Sequence, residues 1–163
     1  MAFDTFVQID SVPGESTDEK HKNWIAVFSF SHGVAQSGSG SVSSVGARVA
    51  GKCDHQDFHL TKRMDKSSPY LYKHCCLGKH FPKVVIEVCM NTGAKEVFQK
   101  FTLEHVLVTS LSCGGGHGQE NPVENVSLNY GKIKWEYTPL DPKTGAKGGV
   151  VACEWDVMAN KGA

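Results

Sequence analysis

The chain has 163 residues, of which 40% are apolar and 21% are charged, and its 17 basic and 17 acidic residues cancel. A chain of this length suits one domain, residues 1–163, that can bury a core without disulfides or a metal ion. The charge balance excludes a strong field for nucleic acid or an anionic membrane, so neither partner is predicted. The sequence begins with no basic, apolar leader and has no run long enough to cross a bilayer, which predicts cytoplasmic synthesis without a signal peptide or membrane anchor.

Apolar and polar residues alternate along most of the chain, which is the pattern of half-buried strands. The first run begins at Phe3, and the later runs cover residues 24–34, 84–90, 95–111, 123–137 and 151–157. The tetrapeptide Asn-Thr-Gly-Ala at 91–94 separates two of these runs and fits a hairpin loop. Many short strands with turn residues between them predict a mainly β fold, either a sandwich or a barrel.

The run at 123–137 changes the face on which its apolar residues lie. These residues occupy even positions up to 130 and odd positions from 133 onward. A strand cannot change its apolar face without an extra residue. The pattern therefore predicts a β-bulge near Gly131-Lys132, where it would help the sheet to curl.

One segment, residues 68–77, is predicted to be a short helix. The serine pair at 67–68 can cap its start, and Pro69 suits its first turn. Gly78 suits its end because glycine adopts the left-handed conformation that closes many helices. A helix this short is unstable alone, so the face that includes Leu71 is predicted to pack on the strands.

The cysteines and the short basic cluster are given structural interpretations. The predicted compartment keeps the six thiols reduced. Cys89 and Cys153 lie in alternating apolar runs and are predicted to be small buried hydrophobes. Lys62, Arg63 and Lys66 predict a solvated sheet edge rather than a surface for nucleic acid.

The sequence offers only weak candidates for a catalytic, metal or phosphate site. The glycines at 114–118 lack the following helix that a phosphate cradle requires. The cysteine and histidines between 53 and 59 are too widely spaced along a strand to share one ion. Cys113 and His117 suggest a thiolate site, but no orienting base or oxyanion hole is readable. We therefore predict no catalytic residue, metal ligand or cofactor.

Two segments lack strand or helix periodicity and are candidate working loops. Residues 36–51 contain many small residues, three valines and a single charged side chain. Taken alone, this composition predicts a flexible loop or linker. Residues 112–119 join two strand runs and contain three consecutive glycines.

The order and spacing of several short strings carry a resemblance across nearly the whole chain. They are Gly14-Glu15-Ser16, Gln36-Ser37-Gly38-Ser39, Gln56-Asp57-Phe58, Thr61-Lys62, Asp65-Lys66-Ser67-Ser68-Pro69, Gly78-Lys79-His80-Phe81-Pro82, Thr102-Leu103 with Val106-Leu107-Val108, Glu124-Asn125-Val126-Ser127-Leu128-Asn129-Tyr130 and the closing Trp155. Together they closely resemble the Hcp (haemolysin-coregulated protein) family, the tube subunit of bacterial type VI secretion systems.

The resemblance implies a two-sheet antiparallel β-barrel with one short flanking α-helix and a long extended loop. Its subunits would form hexameric rings that stack into a hollow tube. A contractile sheath would drive this tube, tipped by a VgrG spike, into a neighbouring cell. Effector proteins would travel in the lumen, so the subunit would act as a carrier and be secreted without a signal peptide. The chain ends after its last strand, without the toxin domain fused to some relatives, which implies a structural role and no enzymatic activity.

The resemblance also implies a function for each of the two loops. The 36–51 loop would contact the next ring by strand pairing and apolar anchors. The candidate residues of this contact are Gln36, Ser37, Gly38, Ser39, Val42, Val45, Arg48 and Val49. The candidates for a loop at the ring interface or in the lumen are Gly114, Gly115, Gly116 and His117. The alternative hypothesis is a monomeric β-barrel that binds a ligand in a concave site.

Overall fold

The computed structural model describes residues 2–38 and 51–163. Within these ranges the chain forms eleven strands and one helix. In chain order they are β1 (Phe3–Ile9), β2 (Ile25–Ser31), β3 (Val34–Ala35), β4 (Asp54–His55), β5 (Phe58–Arg63), α1 (Ser68–Leu77), β6 (Phe81–Asn91), β7 (Lys95–Gly114), β8 (Val123–Asn129), β9 (Lys132–Tyr137), β10 (Val151–Asp156) and β11 (Lys161–Gly162).

Six antiparallel strands close a barrel in the order β7, β6, β1, β2, β5, β8, after which β8 pairs again with β7. Strands β9, β10 and β11 extend the sheet from the first half of β7, on the side opposite β6. Strands β3 and β4 form a separate two-stranded sheet, and β6 and β7 are joined at the predicted hairpin loop. The predicted mainly β barrel with a flanking helix is confirmed.

Strand β7 is long enough to serve two partners along one side. Its second half pairs with β8, up to Leu107 opposite Asn129, and its first half pairs with β9, from Glu104 opposite Lys132. The chain changes face between these partners, as the sequence predicts. However, the predicted bulge near 131–132 is wrong, because the strand is interrupted there instead. The irregularity is shared with β7, where His105 adopts a positive φ of 52° beside Gly131.

The core fills the inside of the barrel with side chains that alternate along the strands. Fully buried members include Val7, Ile86, Leu103 and Leu128. Helix α1 adds Leu71 to this cluster, and Gly78 closes the helix with a φ of 62°. The Ser67 side chain makes no cap hydrogen bond, since the serine pair bonds to other groups described below.

Two sequence interpretations concern residues near the surface. Cys89 is buried as predicted, but Cys153 is exposed, because it lies in the first half of β10, where Val151 and Ala152 are exposed as well. All six cysteines are free thiols. In the described ranges, no helix is long and apolar enough to cross a membrane.

Candidate assembly surfaces

The described residues that flank positions 39–50 form a small hairpin beside the barrel. We call residues 32–38 and 51–56 the root hairpin. Strands β3 and β4 pair here, with Val34 opposite His55, and the Gln56 amide donates to the Gly33 carbonyl at 3.0 Å. The candidate contact residues Gln36, Ser37 and Gly38 lie in this root, where Gln36 Nε2 donates to the Gly51 carbonyl at 2.5 Å. The other candidates lie outside the described residues, and they are Ser39, Val42, Val45, Arg48 and Val49.

Two histidines attach the root hairpin to the barrel. The His32 ring stacks on Phe58, with centroids 5.2 Å apart, and Trp135 Nε1 donates to His32 Nε2 at 3.4 Å. His55 Nδ1 lies 2.9 Å from the Tyr130 hydroxyl. Burial lowers the pKa of both histidines, and the neighbouring His55 lowers that of His32 further. Sequence reasoning missed this cluster, which joins aromatic rings from separate strands.

The second candidate loop is a tight, exposed turn. Gly114 is the last residue of β7, so the loop begins at Gly115, three residues later than the predicted start of the 112–119 segment. The Gly116 amide donates to Gln119 Oε1 at 3.1 Å, and His117 is exposed. The thiol of Cys113, which precedes this turn, interacts with the Tyr72 hydroxyl and raises the pKa of Tyr72 to about 12.

The described residues hold no group of three or more histidine, cysteine, aspartate or glutamate side chains that could bind a metal ion. This statement covers the histidines of the root hairpin and the turn at 115–119.

Strand β10 presents an edge that is only partly covered. Its inner side pairs with β9 along the whole strand, whereas β11 and the following Ala163 cover only Glu154, Trp155 and Asp156 on the outer side. Within the described chain, Val151, Ala152 and Cys153 have no strand partner on that outer side. Val151 is 63% exposed, and the preceding Val150 is exposed as well. An uncharged, apolar edge of this kind invites pairing with another chain.

The outer face of β2, β5, β8 and β7 has a different chemistry. Two rows of paired residues cross these strands, and every side chain in them is a hydroxyl, an amide or an imidazole. The rows are Ser29, Thr61, Asn125 and Ser112, and Ser31, His59, Ser127 and Ser110. Thr61 Oγ1 donates to Asn125 Oδ1 at 3.0 Å, and His59 Nδ1 lies 2.9 Å from Ser127 Oγ. We call these eight residues the polar wall.

The basic cluster predicted to be solvated contains a buried ion pair. Lys62 is 1% exposed, and its Nζ lies 2.7 Å from Glu124 Oε2 and 2.9 Å from Asp65 Oδ1. Ser68, at the start of α1, donates to Glu124 Oε2 at 2.8 Å. The prediction for Lys62 is wrong, because the inward-facing position on β5 meets a glutamate on the adjacent β8. Arg63, one residue later, points outward over the Phe28 ring.

A second buried charge cluster fixes the connection between β1 and β2. His21 Nδ1 lies 2.9 Å from Asp18, and His21 Nε2 lies 2.7 Å from Glu87. Both ring nitrogens of His21 therefore lie within hydrogen-bond distance of a carboxylate oxygen. Phe6 stacks on the ring at 4.4 Å, and Lys95 Nζ bonds to Asp18 at 2.7 Å.

The Asp18 interactions predict an acid-sensitive contribution to stability. The hydrogen bond from Lys95 lowers the pKa of Asp18 from 3.8 to about 2. Because the folded pKa lies below the unfolded value, the stabilisation is complete above 3.8 and is lost as the pH falls toward 2. In the variant Asp18→Asn, the midpoint of urea unfolding should depend less on pH across this window.

The exposed residue Asp10 provides the matched control. The variant Asp10→Asn should keep the wild-type pH dependence of the unfolding midpoint. If the unfolding midpoint of Asp18→Asn falls with acid as steeply as that of the wild type, Asp18 is not the source of the acid sensitivity.

Comparison with known proteins places this architecture in a family. Residues 6–137 match the family model described as "Type VI secretion system effector, Hcp". The chain is 38% identical over 161 residues to protein hcp1 of Pseudomonas aeruginosa, covering 98% of each chain. A solved type six secretion system protein has a TM-score of 0.93 at 35% identity, with 99% of this chain and 100% of that chain covered. Hcp1 from Salmonella typhimurium has a TM-score of 0.81 at 30% identity, with both chains covered completely. The chain belongs to the Hcp family of type VI secretion systems, whose members are structural tube proteins.

Proposed function

We propose that this chain assembles into hexameric rings, that the rings stack into a hollow tube, and that type VI secretion carries the tube out of the cell. The observation that carries the proposal is the uncovered apolar edge of β10 in a member of the Hcp family. Natural monomers protect such edges with charges, prolines or bulges. The partner that would complete this edge is a second copy of the chain.

The contact at β10 would be heterologous, with the edge meeting a different surface on the neighbouring copy. Contacts of this type close into rings when the rotation between copies fits, and otherwise form open filaments. The exposed turn containing Gly115, Gly116 and His117, with Gly114 at the end of β7, remains a candidate for the opposite surface or for the lumen. The zero net charge limits repulsion between many identical copies.

The polar wall is our candidate for the lumen surface. Its hydroxyl, amide and imidazole groups bond to one another across strands, and its outward side offers water many donors and acceptors. Such a surface suits a hydrated channel better than a dry protein contact. Effector proteins are the cargo proposed for this channel, and the VgrG spike and contractile sheath are the other proposed partners.

Stacking between rings is assigned to the 36–51 loop. Its root projects from the barrel between β2 and β5, and its sequence carries the small residues and valines suited to backbone pairing and apolar contact. In this scheme the protein is made in the cytoplasm without a signal peptide and reaches the medium or a target cell as part of the tube.

The substitution Val151→Lys is expected to prevent ring formation. A lysine on the open edge places a charge where the neighbouring copy should bury an apolar side chain. Size-exclusion chromatography with light scattering should give a mass six times that of the chain for the wild type and a much smaller mass for the variant. The far-UV circular dichroism spectrum should not change, because Val151 is exposed.

The matched control is Leu77→Lys, which replaces an apolar residue of α1 that is 61% exposed. This variant should remain hexameric. Equal loss of the hexamer in both variants would mean that β10 has no special part in assembly, and a monomeric wild type at high concentration would contradict the proposed function.

One surface groove bears on the alternative of a monomeric ligand-binding module. A groove of about 430 Å³ lies between the β6–β7 hairpin and residues 138–145, with Phe98 and Tyr137 in its wall. Its perturbed titrating group, Asp141, has a pKa lowered by the backbone amides of Thr144 and Lys143 in the same turn. This shift is explained by local turn structure, so the groove gives the alternative little support. Saturable ligand binding by a monomer would favour it.

A further inference from the structure

The root hairpin has little apolar attachment of its own. Strands β3 and β4 share only two residue pairs, and both Val34 and Ala35 are exposed. An isolated two-stranded hairpin is marginally stable in water. Its position on the barrel must therefore depend on the side chains that dock at its two ends, which are His32 and His55.

His32 is docked as a neutral ring. Trp135 Nε1 donates to its Nε2, so that nitrogen is an acceptor and carries no proton. The Nδ1 atom of His32 is buried and has no hydrogen-bond partner of normal geometry among the described residues. The Gln56 backbone lies close enough to raise the pKa of His32 weakly, against the larger lowering by burial. Phe58 and Phe101 enclose the ring, and they offer no counterion.

His55 is docked in a similar way on the other arm of the hairpin. Its ring meets Tyr130 edge to face at 5.7 Å, with Nδ1 bonded to the hydroxyl group. Tyr130 also contacts His32, at 5.7 Å between ring centroids, so both histidines share one aromatic neighbour. A positive charge on either ring would repel a charge on the other.

The charged and titratable groups around His32 and His55 would not compensate a positive charge on either ring. In the described chain, no carboxylate lies within ion-pair distance of either ring. The carboxylate of Asp57, next to Tyr130, already accepts from Thr109 at 2.6 Å and from Asn129 at 2.9 Å. The remaining titratable neighbours are the Cys53 thiol and the Tyr130 hydroxyl, and burial raises the pKa of Tyr130. By contrast, His21 has a carboxylate at each nitrogen.

We propose that the root hairpin is an acid-sensitive latch, in which protonation of His32 and His55 releases β3 and β4 from the barrel. Protonation of His32 Nε2 would set two N–H donors against each other at Trp135, and both rings would carry uncompensated charge beside aromatic side chains. The two pKa values are lowered from 6.5 in the docked state. Docking therefore weakens as the pH falls below 6.5, by up to about tenfold per pH unit for each histidine.

The consequence for assembly rests on the proposed function. If the 36–51 loop joins rings, release of its root at acidic pH should separate stacked rings while single rings persist. The barrel itself should remain folded, because its core contains neither histidine and its buried His21 is compensated.

Hydrogen exchange tests the latch on the full chain. The reporter is the Gln56 amide, with the Ile86 amide in the central strand β6 as the internal reference. Between about pH 7 and about pH 5, protection at Gln56, corrected for the intrinsic rate, should fall at least about tenfold relative to Ile86. The double variant His32→Phe/His55→Gln should lose this pH dependence, and the exposed-site control His80→Gln should keep it.

Two results would overturn the latch: unchanged wild-type protection at Gln56 on acidification, or an equal loss in the double variant. If the double variant fails to fold, NMR titration of the His32 and His55 imidazoles in the wild type tests the latch instead. The latch requires both rings to be neutral at pH 7. Electron microscopy at both pH values then tests the consequence. Monomers would contradict the proposed function and leave the exchange result to decide the latch, whereas stacked rings that persist at acidic pH would overturn the link between the latch and ring stacking.

Discussion

Lys62→Met should lower the free energy of unfolding by about 3–5 kcal/mol, because it leaves a buried carboxylate without its cation. Glu124 has 0% of its surface exposed, and its Oε1 has no hydrogen-bond partner among the described residues even in the intact pair. Ser68 would remain as the only neutral donor described for Oε2. Denaturation with urea, followed by circular dichroism, measures the change.

The double variant Lys62→Met/Glu124→Gln separates the lost charge from the lost packing. Removal of both charges should restore part of the stability, since a buried ion pair is worth much less than the cost of breaking it. Lys66→Met, at an exposed site in the same basic cluster, is the matched control and should change stability by less than about 0.5 kcal/mol. If the Lys62→Met protein is as stable as this control, the ion pair between Lys62 and Glu124 does not contribute to stability.

Phe58→Ala should lower the free energy of unfolding by a similar amount, about 3–5 kcal/mol, because it leaves a cavity at the centre of the barrel's aromatic cluster. The Phe58 ring is fully buried and contacts Phe30, Phe101 and His32, with centroids 6.0, 5.1 and 5.2 Å away. Beyond the global loss, the variant should release the root hairpin selectively, since His32 loses the ring on which it stacks. Urea unfolding measures the first effect, and hydrogen exchange at Gln56 measures the second.

Phe28→Ala is the matched control for this change. Phe28 lies on the neighbouring strand β2, but it is 51% exposed and faces outward beneath Arg63. Its removal should cost at most about 1 kcal/mol, the range of an exposed cation–π contact. Similar losses in the two variants would mean that burial in the barrel does not decide the effect.

Local chemistry was enough to predict much of the fold. The alternation of apolar residues, the Asn-Thr-Gly-Ala loop at 91–94 and the Pro69 and Gly78 signals act within a few residues, so the hairpin and α1 could be located without knowledge of the rest of the chain. The change of face near residue 131 was also visible. The sequence did not show that the strand is interrupted there, because the neighbouring strand β7 shares the irregularity at His105.

The surfaces proposed to work in assembly were predicted less completely. The composition of residues 36–51 singled out a candidate working loop, but the histidines that dock its root come together with Tyr130 and Trp135 only when β9 lies beside β7. Likewise, the open edge of β10 depends on how little of it β11 covers, which no local pattern encodes. The separate rows of the polar wall become one surface only through strand order.

The sequence by itself determined most of the long strands, where the helix lies and which family the chain resembles, because these depend on nearby residues and their spacing. The barrel strand β5 was not among the predicted runs. The tertiary structure alone decided which charges are buried. Ser68 and Glu124 are 56 residues apart in sequence, and His21 and Glu87 are 66 apart, yet each pair is hydrogen-bonded. The physical reason is that the burial of a lysine or histidine is tolerated only when a partner arrives from another strand, and closure of the barrel determines which partner arrives.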